Sequence, residues 1–459
     1  MKNGSDPLAS FDWHPQPKAA QWIENLLQQF CQHMSDAEQW AGWLYEETGT
    51  RLLDWIDYFA PPAFGNIEKE LSEAGFIANI EGETTIWRHP EAMFPPVVMF
   101  FRDEHGIALR VDSVVDFLDA HGIRDSNRVE GDPLAAMRRV VYEQEGDTHL
   151  WAVERHGYAG FTIPKIEPAT VAALLRHDDA FRLRPRFGDD TEAIFTATET
   201  ILRAAIDDLG ADRACDLFFA NEREYWQSRN QAGSLQKQRQ DFLGLGWGNH
   251  DHHTYRSSRK HFARMIGLLE LLGFSCRERF YAGGEAGWGA QVLEQETCGI
   301  VVFADVDLAD EEIAGDFSHE GLSPQDSLGT VGLWCRLHGE AFLGAGMHHL
   351  ECQFDFDAAR EQLAAEGIGS MPPFTDFPHL KQCFTEGEIW EVDEDRLSEL
   401  VSEGHLTEEE AATFQQEGAI GSHLEILERN DGYKGFNQTG VSDIIRQTDP
   451  RRASPGAER

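Results

Sequence analysis

Three short segments of this sequence carry imidazoles and carboxylates at the edges of otherwise apolar strands. They are Asn249-His250-Asp251-His252-His253-Thr254-Tyr255-Arg256, Gly346-Met347-His348-His349-Leu350-Glu351 and Ser422-His423-Leu424-Glu425-Ile426-Leu427-Glu428-Arg429. Two neutral imidazoles and one carboxylate on a single face suit divalent iron or manganese and leave the other coordination positions open to substrate and dioxygen. With 19 histidines in the chain, adjacent pairs also arise by chance, so the competing reading is a set of solvated or core histidines. Strand alternation sharpens the choice. His349, Glu351 and Gln353 share one face while Leu350, Cys352 and Phe354 share the other, which turns His349 rather than His348 toward a polar cavity. In the last segment Glu425 shares a face with Leu427, and periodicity does not select it. In the first, His252, Thr254 and Arg256 form an all-polar face, whereas His253 falls beside Tyr255 and Ser257.

The elements that must hold these residues repeat. A unit of strand, amphipathic helix and two or three further strands can be traced four times. The first unit reads as a strand at Ile56–Ala60, a helix over 66–74, and strands at Thr84–Arg88 and 97–101. The second has strand 107–111, helix 114–121, and strands 149–155 and 159–163. Between 168 and 240 the pattern turns helical, with helices over 193–209 and 215–226 and then a polar stretch, SRNQAGSLQKQRQ. The third unit runs from strand 252–255 through helix 259–272, capped by Gly273, to strands Ser275–Tyr281, 290–294 and 300–306. The fourth opens with strand 349–354 and helix 357–366. It is interrupted by an acidic helical segment at 391–417 and closes with strand 422–429.

This layout resembles the vicinal oxygen chelate superfamily, whose βαβββ modules pair to wrap a metal. The second half resembles 4-hydroxyphenylpyruvate dioxygenase and the 2-oxoadipate dioxygenase/decarboxylase family within it. The resemblance is carried by the interval from His253 to Leu272-Gly273-Phe274, by His349-Leu350 followed by Phe354-Asp355-Phe356-Asp357, and by Leu424 to Arg429 followed by Gly435-Phe436. It implies an α+β fold of repeated βαβββ modules in curved open sheets, with a helical insertion. It also implies an Fe(2+) site, with Mn(2+) as the alternative, held by His253, His349 and Glu425. The implied activity is oxidative decarboxylation of a 2-oxo acid by dioxygen, the acid chelating the metal through its carboxylate and keto oxygens. His252 remains a rival first ligand, because His252-x-x-x-Arg256 resembles the oxoadipate family's ligand and carboxylate-binding arginine. Arg256, Gln353 and Asn437 are the expected substrate contacts. Thr439-Gly440-Val441 stands where the dioxygenase has an aromatic substrate contact, which counts against an aryl pyruvate. Two rival functions stay open: a glyoxalase-type isomerase or lyase with four protein ligands, and a non-catalytic binding protein of the same fold.

Other motifs read as structure. Glu294 lies on the third strand of its module, where a glyoxalase-type ligand would need the fourth. Gly283-Gly284 and Gly287 mark a hairpin, with no helix following to make a phosphate loop. Trp334-Cys335 and His338 lack the surroundings of a nucleophilic site.

The whole chain bounds the function further. Its 459 residues, 41% hydrophobic, allow two or three domains. The expected divisions are 1–165, an N-terminal helical segment plus a metal-free module pair; 166–245, the helical insertion; 246–450, the metal-binding pair; and 451–459, a disordered tail. Seven cysteines without a CxxC pair argue against a disulfide framework or a zinc ribbon. No apolar run is long enough to span a bilayer, and the N-terminus has no signal-peptide pattern, so a cytoplasmic protein is expected. The charge, 80 acidic against 39 basic residues or −41, excludes nucleic acid as a partner. It leaves a small-molecule ligand and, without deciding it, a homo-oligomer. Acidic residues spread along the chain rather than forming one tail, the pattern of a surface adapted to high ionic strength, where salt screens the self-repulsion. Thermal melts across a potassium chloride series should therefore show stability rising with salt; a flat or falling curve would defeat this reading.

Overall fold

The computed structural model describes residues 13–34, 36–62, 65–100, 104–125, 128–283, 286–437 and 449–451. Thr439-Gly440-Val441, Gly284 and the tail beyond Arg451 lie outside the described residues.

Two helices, α1 (Pro17–His33) and α2 (Ala37–Trp43), precede a first sheet of seven strands. Its first module is β1 (Ile56–Ala60), α3 (Ile67–Glu73), β2 (Ile77–Glu81), β3 (Thr84–Arg88) and β4 (Val97–Phe100). β4 returns parallel to β1, with β3 and β2 added antiparallel outside it. The second module is β5 (His105–Val111), α4 (Val114–Ala120), β6 (Met137–Glu145) and β7 (Thr148–Arg155), with β7 parallel to β5. Among the described residues it is one strand short: beyond β6 only the single bridge Glu130↔Arg139 remains. β1 and β5 pair antiparallel and join the two modules.

Four helices follow, α5 (Pro168–Arg182), α6 (Thr191–Leu209), α7 (Ala211–Gln227) and α8 (Gln231–Phe242). The second sheet repeats the module twice in full. β8 (His250–Arg256), α9 (Phe262–Leu271), β9 (Ser275–Tyr281), β10 (Trp288–Gln295) and β11 (Ile300–Asp307) form one unit. After α10 (Thr330–His338) comes the other, β12 (His349–Gln353), α11 (Phe356–Ala365), β13 (Thr375–Phe377), β14 (Leu380–Phe384) and the closing strand. That strand is β16 (Ala419–Arg429), reached through β15 (Glu388–Trp390), α12 (Glu394–Ser402) and α13 (Glu408–Glu417). β11 lies parallel to β8 and β16 parallel to β12, and β8 and β12 join antiparallel. Both sheets are curved and open, with the outer strands β2 and β6, or β13 and β9, left unjoined among the described residues.

Side-chain alternation gives the second sheet two unlike faces. Tyr255, Val302, Ala304, Leu350, Cys352, Leu424 and Ile426 pack into one core with Phe219 and Trp226 of α7 and Met265 and Leu269 of α9. α9 presents Phe262, Met265, Ile266 and Leu269 to that core at helical spacing. It ends at Gly273, whose φ of +88° permits the turn into β9. The inserted helices thus share the second sheet's core.

One expectation fails for a physical reason, and one stretch assigned no element from sequence proves helical. Residues 159–163 form no strand, because the Arg155 guanidinium takes the carbonyls of Tyr158 and Gly160 at 3.3 and 2.6 Å, displacing a ladder. The sheet position is filled by β6 instead. The polar stretch 228–240 is mostly α8, N-capped by Asn230, whose side chain accepts from the Gly233 amide at 2.7 Å. Its Gln236 and Gln240 are fully buried because they reach the carbonyls of Thr48 and Gly246. Among the described residues no helix is long and apolar enough to cross a membrane.

One buried carboxylate ties the insertion to β8. Glu222 of α7 accepts from Arg184 at 2.9 Å, Arg186 at 2.6 Å and the Tyr255 hydroxyl at 3.4 Å. Glu222→Ala strands two guanidiniums in the interior and should cost about 3–5 kcal/mol in denaturant unfolding. A loss within about 0.5 kcal/mol, the range of surface substitutions, would show that these helices are not anchored here.

Candidate metal centre

The polar face of the second sheet lines a small cavity of about 80 Å³. His252 and Thr254 reach it from β8, Phe303 and Asp305 from β11, His349 from β12, Gln382 and Phe384 from β14, and Glu425 from β16. His252, His349 and Glu425 each offer a donor atom, and these atoms lie within 4.8 Å of one another, all buried. His349 Nε2 stands 2.9 Å from Glu425 Oε2 and 2.7 Å from the Thr254 hydroxyl.

The structure therefore brings His252, not His253, to the cluster. His253 points to the helical side, where its ring lies 5.1 Å from Phe219 and its Nε2 accepts from Arg223 at 3.3 Å. The all-polar face of His252, Thr254 and Arg256 is the face that lines the cavity, and the histidine that module spacing favours lies one residue on, on the opposite face. A bulge contributes to the geometry. The β12–β8 ladder steps from Glu351↔His252 to Cys352↔His250, leaving Asp251 as the extra residue.

Asp251 then turns beside its neighbour and contacts His252 Nδ1 at 3.1 Å. Burial alone would raise its carboxyl. The Arg429 guanidinium, donating to both oxygens at 2.8 and 2.9 Å, overcomes burial and holds it well below the usual carboxylate range. An ionised Asp251 must accept from Nδ1–H, which leaves the lone pair of His252 on Nε2. This carboxylate–imidazole pairing is a common way of orienting a metal-binding histidine. Gln353, expected to touch substrate, belongs to this support instead: it donates to Asp251 at 3.1 Å and does not line the cavity.

The electrostatics suit a cation. Burial depresses the His252 imidazole, and burial with the nearby Arg256 charge lowers that of His349 to about 3, so both are neutral bases. Burial also pushes up the carboxyls of Glu425 and of Glu351, which lie close to each other. Glu351 is fully buried, and its Oε2 lies against His252 Nε2. Gln382 donates to Glu425 at 3.0 Å. His349 Nδ1 has no partner. Two neutral imidazoles and crowded buried carboxyls form a donor set that a divalent cation would stabilise, so the residues fit a metal.

The remaining lining is aromatic with one cationic corner. Phe303 lies 4.7 Å and Phe436 5.2 Å from the His252 ring, and Phe384 5.1 Å from His349. Arg256 is buried in the same wall, with Nε 4.0 Å from Asp305 and both Nε and Nη1 lacking a hydrogen-bond partner among the described residues. Burial raises the Asp305 carboxyl to about 7 although Arg256 opposes it. Asn437 is also in the wall and donates to the Phe374 carbonyl and the Thr375 hydroxyl. Sequence reasoning missed Asp251, Gln382 and Asp305; β14 had no recognised strand pattern. Glu351 was visible on the face of His349 and was not singled out. Glu294, read as structural, is partly buried and pairs with Arg277 and Lys434.

No protein-family profile and no curated protein matches the chain. Solved structures similar in fold include a triple mutant of 4-hydroxymandelate synthase from Streptomyces coelicolor (12% identity, 87% of this chain and 99% of that one, TM-score 0.28). Another is methylmalonyl-CoA epimerase from Mycobacterium tuberculosis (11% identity, 40% of this chain and 88% of that one, TM-score 0.23). Both likenesses are too distant to bear on substrate or chemistry. The fold is nonetheless of the vicinal oxygen chelate type, a statement that rests on the strand order and the parallel return of each module.

If the cluster binds metal, His252→Ala should weaken binding far beyond the roughly 10–100-fold typical of losing an outer-shell partner. His253→Ala should bind normally, and Asp251→Asn should fall within that outer-shell range. Normal binding by His252→Ala together with loss in His253→Ala would reverse the assignment.

Proposed function

We propose that this protein is an iron(II)-dependent dioxygenase that oxidatively decarboxylates a small 2-oxo acid, with His252, His349 and Glu425 as the metal ligands. One observation carries the reading. The two modules of the second sheet are related by their register, and only one supplies a carboxylate at the matching place. In the fourth module His349 pairs with His423 on the parallel return strand, and Glu425 stands two residues further on. In the third, His252 pairs with Val301, and the residue two further on is Phe303. A phenyl ring thus replaces the fourth ligand that a glyoxalase-type isomerase would place there. Three ligands on one side are the arrangement that leaves room for a chelating substrate and dioxygen.

Bound there, iron(II) would supply adjacent positions for the acid's carboxylate and keto oxygens and one for dioxygen. In the net reaction the acid loses its carboxylate as CO2, one oxygen atom completes the new carboxylate, and the other oxidises the same molecule. The protein's own part is positioning. Asp251 and Arg429 keep His252 Nε2 directed inward. Phe303, Phe384 and Phe436 exclude water from the cavity. Arg256, with two unpartnered nitrogens, is suited to a second, distal carboxylate of the substrate through a charge-assisted contact. A dicarboxylic 2-oxo acid therefore fits better than an aryl pyruvate, the position of whose expected contact is taken by Thr439-Gly440-Val441.

Glu351 supports one alternative. Its buried carboxyl beside His252 could serve as a fourth ligand, the coordination of an isomerase or lyase that needs no dioxygen.

Elemental analysis of anaerobically purified protein should find one iron per chain, and Glu425→Ala should abolish it without loss of fold. Oxygen uptake across a panel of 2-oxo acids should be matched by CO2 release, and Arg256→Ala should raise KM for dicarboxylic members chiefly. Metal-loaded protein that consumes no oxygen with any of them would sink the dioxygenase reading and favour the four-ligand alternative.

A further inference from the structure

A second cleft, of about 370 Å³, lies where β5, α7 and the start of β8 meet. Its walls include Arg110, Arg223, Asp216, His156 and His250. Basic residues are scarce in this chain, 39 against 80 acidic, and the other basic side chains of the cleft are neutralised. Arg155 is held by Asp57 at 2.7 Å and Lys237 by Asp241 at 2.5 Å. Arg110 and Arg223 differ. Neither has a carboxylate within 4.0 Å among the described residues. Arg110 donates to the Cys298 carbonyl at 3.3 Å, and Arg223 to His253 Nε2 at 3.3 Å.

Arg223 is only 8% exposed. Burying a guanidinium against a neutral imidazole, without a counter-ion in contact, is costly unless something else supplies the charge. Three acids also line the cleft, Asp112, Asp216 and Glu224, and the charges of Arg223 and Arg110 act on Asp216 from beyond contact distance. Asp216 contacts His156 Nδ1 at 3.2 Å, and Asp112 accepts from the Trp247 amide at 2.8 Å. His250 adds a buried ring nitrogen, Nδ1, that has no partner among the described residues. The cleft is also within the roughly 300–1,000 Å³ span of small-molecule sites.

We propose that this cleft binds a small anion bearing a carboxylate or phosphate group, gripped by the guanidiniums of Arg110 and Arg223. Planar guanidinium forks match either group in a way a lone chloride cannot use. The site is separate from the candidate metal centre: Arg223 meets β8 through His253, on the face opposite His252. It does not depend on the cluster holding iron.

The test is isothermal titration of the metal-free full chain with inorganic phosphate and, separately, with malonate, ionic strength being fixed with potassium chloride. Saturable binding of one anion per chain is expected, and the tighter of the two identifies the phosphate or carboxylate source. Arg110→Gln and Arg223→Gln should each weaken it by roughly tenfold or more, the loss expected for a charged hydrogen bond. Circular dichroism should stay unchanged. Arg110 is half-buried and peripheral to the core, so Arg110→Gln decides the matter if Arg223→Gln fails to fold. No saturable heat with either anion above the chloride background, or undiminished binding by a folded Arg110→Gln variant, would overturn the proposal.

Discussion

β8 and β12 run antiparallel and pair His349 with Thr254 and Glu351 with His252 across the seam between two modules. Every donor of the candidate site takes its place from that ladder. The seam sets His252 and His349 on one concave face, and the parallel return of β16 beside β12 adds Glu425 to it. Because side chains alternate with a period of two, moving the seam by one residue would send His253 and His348 inward and the cluster into the helical core. The bulge at Asp251 adds to this constraint. It places a carboxylate next to His252 within the same strand, where a regular ladder would have turned it to the other face. The Arg429 guanidinium from β16 then locks that carboxylate, so the two modules are tied by charge as well as by backbone pairing.

The cavity's polar groups set a second constraint. Buried imidazoles stay neutral here, while buried carboxyls are driven toward their protonated forms, as burial in a low-dielectric space requires. The cluster contains Glu351 and Glu425 with, among the described residues, no lysine or arginine in direct contact with either. Gln382 supplies only neutral donors. Such a site gains by taking up a cation, and the same binding would stabilise the folded chain by mass action, since the unfolded chain cannot assemble it. Arg256 and Asp305 stand apart as a separate charged pair in the same wall. The cavity therefore divides into an end that favours a cation and an end that favours an anion, and a molecule with two carboxylates suits that division.

Much of this was legible in the sequence, for identifiable reasons. Strands such as Ile56–Ala60, Thr84–Arg88 and Ser275–Tyr281 have the predicted bounds, since β-branched and aromatic residues fill them and glycine or proline flanks several of them. His349 was assigned to the cavity by the apolar partners Leu350 and Cys352, both fully buried on the helical side. The same logic pointed to His252 through Thr254 and Arg256, yet the family spacing pointed to His253. Loop lengths between strand and helix vary by a residue at little cost, whereas a face cannot, so alternation is the stronger guide. What stayed hidden depends on distant partners. Asp251 and Gln353 look like ordinary strand residues until Arg429 is brought alongside, and α8 reads only as a polar stretch because one of its buried glutamines, Gln236, satisfies a carbonyl 188 residues away.

The two halves of the molecule share a topology and differ in what fills the concave face. In the first sheet, Tyr58, Ala108, Met137, Trp151 and Val153 occupy it as a packed apolar cluster. Phe161 closes over Tyr58 at 5.3 Å, and the Arg155 guanidinium lies 4.8 Å from the Phe161 ring. The segment that failed to become a strand is the one that supplies this plug: released from a ladder by Arg155, residues 158–163 fold across the face. In the second sheet the return path carries polar and aromatic residues that leave a cavity. Large side chains against a concave sheet contribute stability in proportion to the apolar area they remove from water, and a cavity gives that up. The first module pair can thus act as the rigid partner, while the second keeps an incompletely filled face lined with bases, acids and an arginine whose Nε and Nη1 make no hydrogen bond among the described residues, the composition expected where binding rather than packing is selected.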